Sequence, residues 1–235
     1  MSRNTFLCAV LVLGGMAGSA LASPLSGSFN LTGTITVTPT VIDWNSDASP
    51  FLAQMFTLSA GTGSFSGENG QNTLDDLATA SEPVGIMFAS DPFISFDVVP
   101  GLPSLLIDFI SPGTGGVAGC SLPTPAVGQT CTPANPPNGS PFTFINDNPP
   151  TAIQSSAQWV FTGVTSDGAS AWIGDFTAQF SQPYQTVLAD YASSGSLTAS
   201  FSGVVDVTSI PEPASFVMLG LGLGAILVTR RYKRQ

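Results

Sequence analysis

Apolar and polar residues alternate along several stretches of the chain with the period of two that marks a half-buried strand. The clearest stretch is Ser26 to Thr38. Phe29, Leu31, Gly33, Ile35 and Val37 fall on one face, Asn30, Thr32, Thr34, Thr36 and Thr38 on the other, and Pro39 ends the run. A second strand is predicted from Met55 to Phe65, interrupted near Gly61-Thr62-Gly63, with a turn at Glu68-Asn69-Gly70-Gln71. Short apolar runs at Val84–Ala89, Phe93–Val99 and Leu105–Ile110 are separated by Pro-containing breaks and read as neighbouring antiparallel strands.

Ser111 to Pro141 is crowded with Pro and Gly and reads as a long surface loop, with another turn at Asn146 to Pro150. The last third of the body is the most regular. Ser155–Val164 and Ala169–Ser181 flank Ser166-Asp167-Gly168, a hairpin signal. Trp159 and Phe161 share a face of the first strand, and Trp172, Phe176 and Phe180 share one of the second, as core residues do. Thr186 to Ala192 suits one or two helical turns, and Ser196–Thr208 alternates again. Many short strands joined by turns predict an all-β body, an antiparallel β-sandwich or jelly roll.

The two ends of the chain carry different patterns. At the start, Arg3 precedes the apolar stretch Thr5 to Gly15, and Ala20-Leu21-Ala22 is a small-x-small cleavage pattern. Residues 1–22 therefore read as a signal peptide, with Ser23 as the first mature residue. At the other end, Pro211-Glu212-Pro213 is followed by an uncharged run from Ala214 to Thr229 and then by Arg230, Arg231, Lys233 and Arg234. The prolines keep their segment extended. As a helix the uncharged run spans about 24 Å, short for a bilayer, with snorkelling cations making up part of the difference. The basic cluster stays in the cytoplasm, which places everything before Ala214 outside.

Composition sharpens this division. The chain has five Lys and Arg residues and no His. Those five are Arg3, Arg230, Arg231, Lys233 and Arg234, so residues 23–209 contain no cationic side chain. Of the 15 acidic residues only Glu212 lies outside that stretch, which leaves 14 within it. This polyanion cannot bind nucleic acid through phosphate contacts. It cannot build a Ser-His-Asp or Cys-His device, and it lacks the His ligands of common zinc sites. Oxygen chemistry remains, suited to sugars and to hard cations such as Ca²⁺. Cys8 falls in the signal peptide, whereas Cys120 and Cys131 predict one disulfide closing one short loop.

Individual candidates are modest. Asp43 with Asp47, and Asp75 with Asp76, offer carboxylates to a cation, yet no EF-hand spacing occurs and a solvated surface explains them as well. No catalytic residue and no metal ligand is assigned. The hydroxyl row Thr32, Thr34, Thr36 and Thr38 suits a half-exposed strand, since one row on one strand is not a water-ordering array. Asn30 and Asn138 begin glycosylation sequons that are incidental. Trp44, between Asp43 and Asn45, reads as an exposed aromatic for sugar rings, while Trp159 and Trp172 read as core.

The C-terminal arrangement resembles the PEP-CTERM sorting signal of exopolysaccharide-producing bacteria. The resemblance covers Ile210 to Arg234, about a tenth of the chain. The same tail also goes by the name ice-binding protein C-terminal domain, which describes the tail and not an activity. The resemblance implies recognition of Pro211, Glu212 and Pro213 by an exosortase that cuts near them. It implies three parts: a signal peptide (1–22), an exported domain (23–209) and a sorting signal (210–235) with its membrane helix at 214–229. The expectation is then a non-enzymatic, structural or adhesive protein. It is held transiently in the inner membrane and delivered to the cell surface or the exopolysaccharide matrix, without a cofactor. The alternatives are a polysaccharide-active enzyme using carboxylates alone, and an envelope protein whose tail is never cut.

Overall fold

The computed structural model describes residues 23–44, 55–68, 70–96, 101–135, 139–147 and 152–211. In chain order the elements are β1 (Gly27–Val37), β2 (Val41–Trp44), β3 (Met55–Ser59), β4 (Gly70–Leu74), β5 (Leu77–Ala78), β6 (Asp91–Ser95), β7 (Leu105–Ile110), β8 (Thr130–Cys131), β9 (Thr143–Asp147), β10 (Gln154–Thr165), β11 (Ser170–Phe180), α1 (Tyr184–Ser194) and β12 (Leu197–Ser209).

Four long strands form the back of the molecule in the order β10-β11-β12-β1, each antiparallel to the next. The seam between first and last strands is in full register, from Gly27 opposite Val207 to Val37 opposite Leu197. The front continues from β1 through β3, β4, β6 and β7 back to β10, so eight strands close a ring. The expected all-β antiparallel body is present, but as a closed barrel with side ribbons rather than a sandwich or jelly roll. Closure removes the free edges that two separate sheets would leave.

The ring closes over only part of the long strands. On β1, Asn30–Thr32 pair with β3, whereas Ile35–Val37 pair with β2, which in turn carries β5. On β10, Phe161–Thr165 pair with β7, whereas Gln154–Gln158 pair with β9, which carries β8. The two side ribbons therefore leave the barrel at the same end.

An eight-stranded barrel is just wide enough for side chains to fill, and aromatic rings do so here. Phe29, Phe93, Phe161, Trp172 and Phe176 are buried inside. The ring of Phe176 lies against a glycine of its own strand and one of the neighbouring β12: a Cβ at Gly174 or Gly203 would stand 2.8 Å from it. Those inward positions are glycine because the aromatic ring takes the space a side chain would need.

The hairpin at Ser166-Asp167-Gly168 is as expected, with Gly168 at φ 69° and Asp167 accepting the Ala169 amide at 3.0 Å. The predicted helical turns are present and extended to Tyr184–Ser194, ended by Gly195 at φ 76°. The expected strand Met55–Phe65 stops at Ser59 and gives way to a 3₁₀ turn at Gly63–Phe65. Within the expected turn at residues 68–71, Gly70 already begins β4. Val84–Ala89 contributes a single bridge, Val84 to Ile110, instead of a strand. The expected Ser111–Pro141 loop contains a 3₁₀ turn (Val117–Ser121) and β8.

Candidate functional site

Leu25 and Ile210, near the two ends of the described body, lie at one end of the barrel. Gly27 pairs with Val207, and the Ser170 hydroxyl donates to the Leu25 carbonyl at 2.9 Å. The last tie on the other terminus is the Ile210 amide donating to Ala169 O at 2.9 Å. Pro211 follows, exposed and outside any element. The remaining sorting residues Glu212 and Pro213, the run 214–229, Arg230, Arg231, Lys233 and Arg234 lie outside the described residues, as do Ala20 and Ala22 of the predicted cleavage site. Among the described residues no helix is long and apolar enough to cross a membrane.

The opposite end is more elaborate. Cys120 and Cys131 are joined by a disulfide, as expected, with Cα atoms 4.9 Å apart. The loop it closes is fastened to α1. Tyr184 donates its hydroxyl to Gly119 O at 2.9 Å. Buried Asn146 on β9 accepts the Tyr184 amide at 3.0 Å, which supplies the first helical N–H with the partner that Pro183 at the cap cannot. The Asn146 amide donates to Gln185 Oε1 at 3.0 Å, and Gln185 donates to Gln129 Oε1 at 2.7 Å. Asn146→Ala strands several of these groups and is expected to destabilise the protein by about 1–3 kcal/mol. A lower denaturant midpoint at unchanged slope is the readout.

The carboxylates do not converge. Among the described residues no group of three or more His, Cys, Asp or Glu is arranged to hold a metal ion. Asp47 lies outside the described residues. Asp43 and Asp76 are close enough to interact, and Asp76 accepts the Trp44 amide at 3.0 Å. Partial burial, with Asp76 adding to it, raises the Asp43 pKa. Burial also raises that of Asp75, followed by the charges of Asp91 and Asp76.

A folded-state pKa raised above the unfolded value means that the native protein holds the proton longer. Stability then falls as pH rises from the ordinary aspartate range, about 3.9, through the raised values, and the penalty is complete above them. The body is therefore expected to melt higher near pH 4 than at pH 7. Asp75→Asn is expected to flatten that profile and raise the pH 7 midpoint by about 1–2 °C, a small effect because Asp75 is exposed. Thermal melts across this range check both.

The predicted sugar-binding aromatic is elsewhere. Trp44 is 0 % exposed. The sequence places it between polar neighbours, but β2 alternates, and Ile42 and Trp44 turn inward while Asp43 does not. Its ring centroid lies 4.9 Å from Phe201, 5.4 Å from Phe176 and 5.6 Å from Phe93. Trp159 and Trp172 are core residues as expected.

The threonine row is wider than one strand. Thr32 stands opposite Thr57 of β3 and Ser202 of β12, and Ser202 opposite Thr177 of β11. Thr177 in turn faces Gln158 of β10. Thr34 pairs with Ser200, and the Thr36 and Thr198 hydroxyls share a hydrogen bond of 2.8 Å. The outer face of the long strands is thus largely uncharged and hydroxyl-rich. Strand spacing sets its rows about 4.8 Å apart.

Where the side ribbons part, they leave a cleft of about 120 Å³ over the inner face of the long strands. Its floor includes Ala157, Ala178 and Ala199, and Leu188 and Tyr191 of α1 lie along it. Ala157 stands directly opposite Ala178. Sequence reasoning passed over these alanines. Their only signal is size, since inward positions further along the same strands carry Trp159, Phe176 and Phe201.

A family profile described as the PEP-CTERM protein-sorting motif matches residues 209–234. The chain therefore carries the motif expected from Pro211-Glu212-Pro213, the apolar run and the basic cluster. The match begins at the last residue of β12, so the sorting tail follows the closing strand without a linker. The motif marks the chain for exosortase sorting to the cell surface by way of the membrane. No curated protein and no solved structure matches the chain.

Proposed function

We propose that this protein is a non-catalytic surface module that an exosortase releases into, or displays within, the exopolysaccharide matrix, where it serves a structural or adhesive role. The observation that carries the reading is the sorting motif joined directly to β12. Cleavage near Pro211-Glu212-Pro213 leaves the barrel intact, because the last tie to the body is made by Ile210. The cleft floor lies about 26–33 Å along the long strands from the terminal end, so a tail-held barrel presents its cleft and disulfide loop outward.

Adhesion rests on two surfaces. The hydroxyl-rich outer face, on which Asp175 and Asp206 are also exposed, suits hydrogen bonding to sugar polymers, which needs no charged partner. The dispersed carboxylates of a cation-free body bridge to anionic polysaccharide through divalent ions such as Ca²⁺. Retention in the matrix that is indifferent to chelator would remove the second contribution. Sugar release by the purified protein, abolished by one Asp or Glu substitution, would overturn the non-catalytic reading.

The deciding experiment is the intact mass of the protein from its host, with envelope and medium analysed separately. A chain beginning at Ser23 and ending near Pro211–Pro213 is the expected result. A chain that keeps Arg230 to Gln235 and stays in the inner membrane would make the tail a plain anchor.

A further inference from the structure

The cleft between the side ribbons is mainly apolar, with Thr38, Thr79, Asn135 and Ser140 also on its walls, and Glu82 is the carboxylate that lines it. Glu82 is only 5 % exposed. Its Oε2 accepts the Ala78 amide at 2.6 Å, in a turn where the Glu82 amide donates back to Ala78 O at 2.9 Å. A carboxylate set among apolar side chains gains from a cation beside it. The body has no cation to give: residues 23–209 hold no Lys, Arg or His. Residues 23–209 cannot supply that cation, whereas a small cation from solution can.

The rest of the cleft specifies what that group is attached to. Ala157 and Ala178 are both nearly inaccessible to solvent, and with Ala199 they leave room where the same strands elsewhere carry rings. Phe142 and Trp159, with centroids 5.2 Å apart, stand edge to face along one side. Aromatic faces attract cations as well as apolar groups. The volume of about 120 Å³ suits a single ring or a short alkyl chain. An anionic amphiphile meets the Glu82 carboxylate and the negative potential of the whole body.

We propose that this cleft is a binding site for a small organic ammonium ion with an apolar body, its ring or chain over the alanine floor and its ammonium group on Glu82. The site lies at the end of the barrel away from Leu25 and Ile210.

The test uses the full chain in lipid nanodiscs, titrated calorimetrically with 2-phenylethylamine, 3-phenylpropionate and methylamine, with empty nanodiscs as the blank. The expected result is a Kd for 2-phenylethylamine of about 1 mM or tighter, with the other two probes at least about tenfold weaker. Glu82→Gln is expected to remove the preference of amine over acid by lowering amine affinity about tenfold. Ala199→Phe, at a partly exposed position less prone to disturb folding, is expected to weaken amine binding by a similar factor by filling the floor. Equal binding of amine and acid, binding of methylamine as strong as that of 2-phenylethylamine, indifference to Glu82→Gln in a folded variant, or no binding at 10-fold the expected Kd overturns the proposal.

Discussion

Replacing Trp44 with alanine is expected to lower stability by about 3–5 kcal/mol, the range for truncating a large buried aromatic. Trp44 is carried by a strand of only four residues, yet its ring meets Phe93, Phe161, Phe176 and Phe201 inside the barrel and Trp159 beside the cleft. Removing it leaves a cavity whose lining belongs to different strands of a closed ring, and a closed ring collapses poorly onto a void. In a domain of this size the melting temperature is expected to fall by about 2–4 °C per kcal/mol. Trp44→Phe separates shape from polarity. The indole N–H has no partner among the described residues, so phenylalanine forfeits packing alone and is expected to cost less than half as much. Chemical denaturation of the two variants reads both values. A loss below 1 kcal/mol for the alanine variant would return Trp44 to the surface.

The second large effect concerns the disulfide. Changing Cys120 and Cys131 together to serine is expected to cost about 3 kcal/mol, the loop-closure value for a ring of this length. The loss is not confined to the loop. Gly119 holds the Tyr184 hydroxyl, and Gln129 and Gln185 meet at Asn146. Amide exchange is therefore expected to quicken both across residues 116–131 and along α1, while β11 and β12 keep their protection. Faster exchange in the loop with an unchanged helix would show that the hydrogen bonds around Asn146 hold the helix by themselves. Because α1 also borders the cleft, reduction is expected to loosen the apolar site from its lid side.

Much of this architecture is legible in the sequence, for reasons that can be located. β1, β10, β11 and β12 alternate over ten residues or more and carry their own turn chemistry, so local pattern suffices. Barrel closure depends on β3, β4 and β6, which are five residues each, too short for a period to declare itself. Their pairing is set by partners distant in sequence, and alternation alone suits a sandwich equally well. Trp44 was misplaced for the same reason: Asp43 and Asn45 mark a turn locally, and only pairing with Ile35–Val37 shows which way the indole points. Glu82 and the cleft alanines carry no sequence signal, because an alanine facing a void and one facing a neighbour read alike. The sorting tail is the reverse case, recognisable from residue order without any tertiary information.

The seam between β1 and β12 sets the order of events in folding. The first strand and the last lie side by side, separated in sequence by nearly the whole body. Loop-closure entropy makes such distant contacts late and slow. A chain that emerges N-terminus first cannot seal this ring until Ser209 is free, so β1 waits with an open edge for the partner that arrives last. Truncation before β12 is expected to leave that edge unpaired and the chain prone to aggregate.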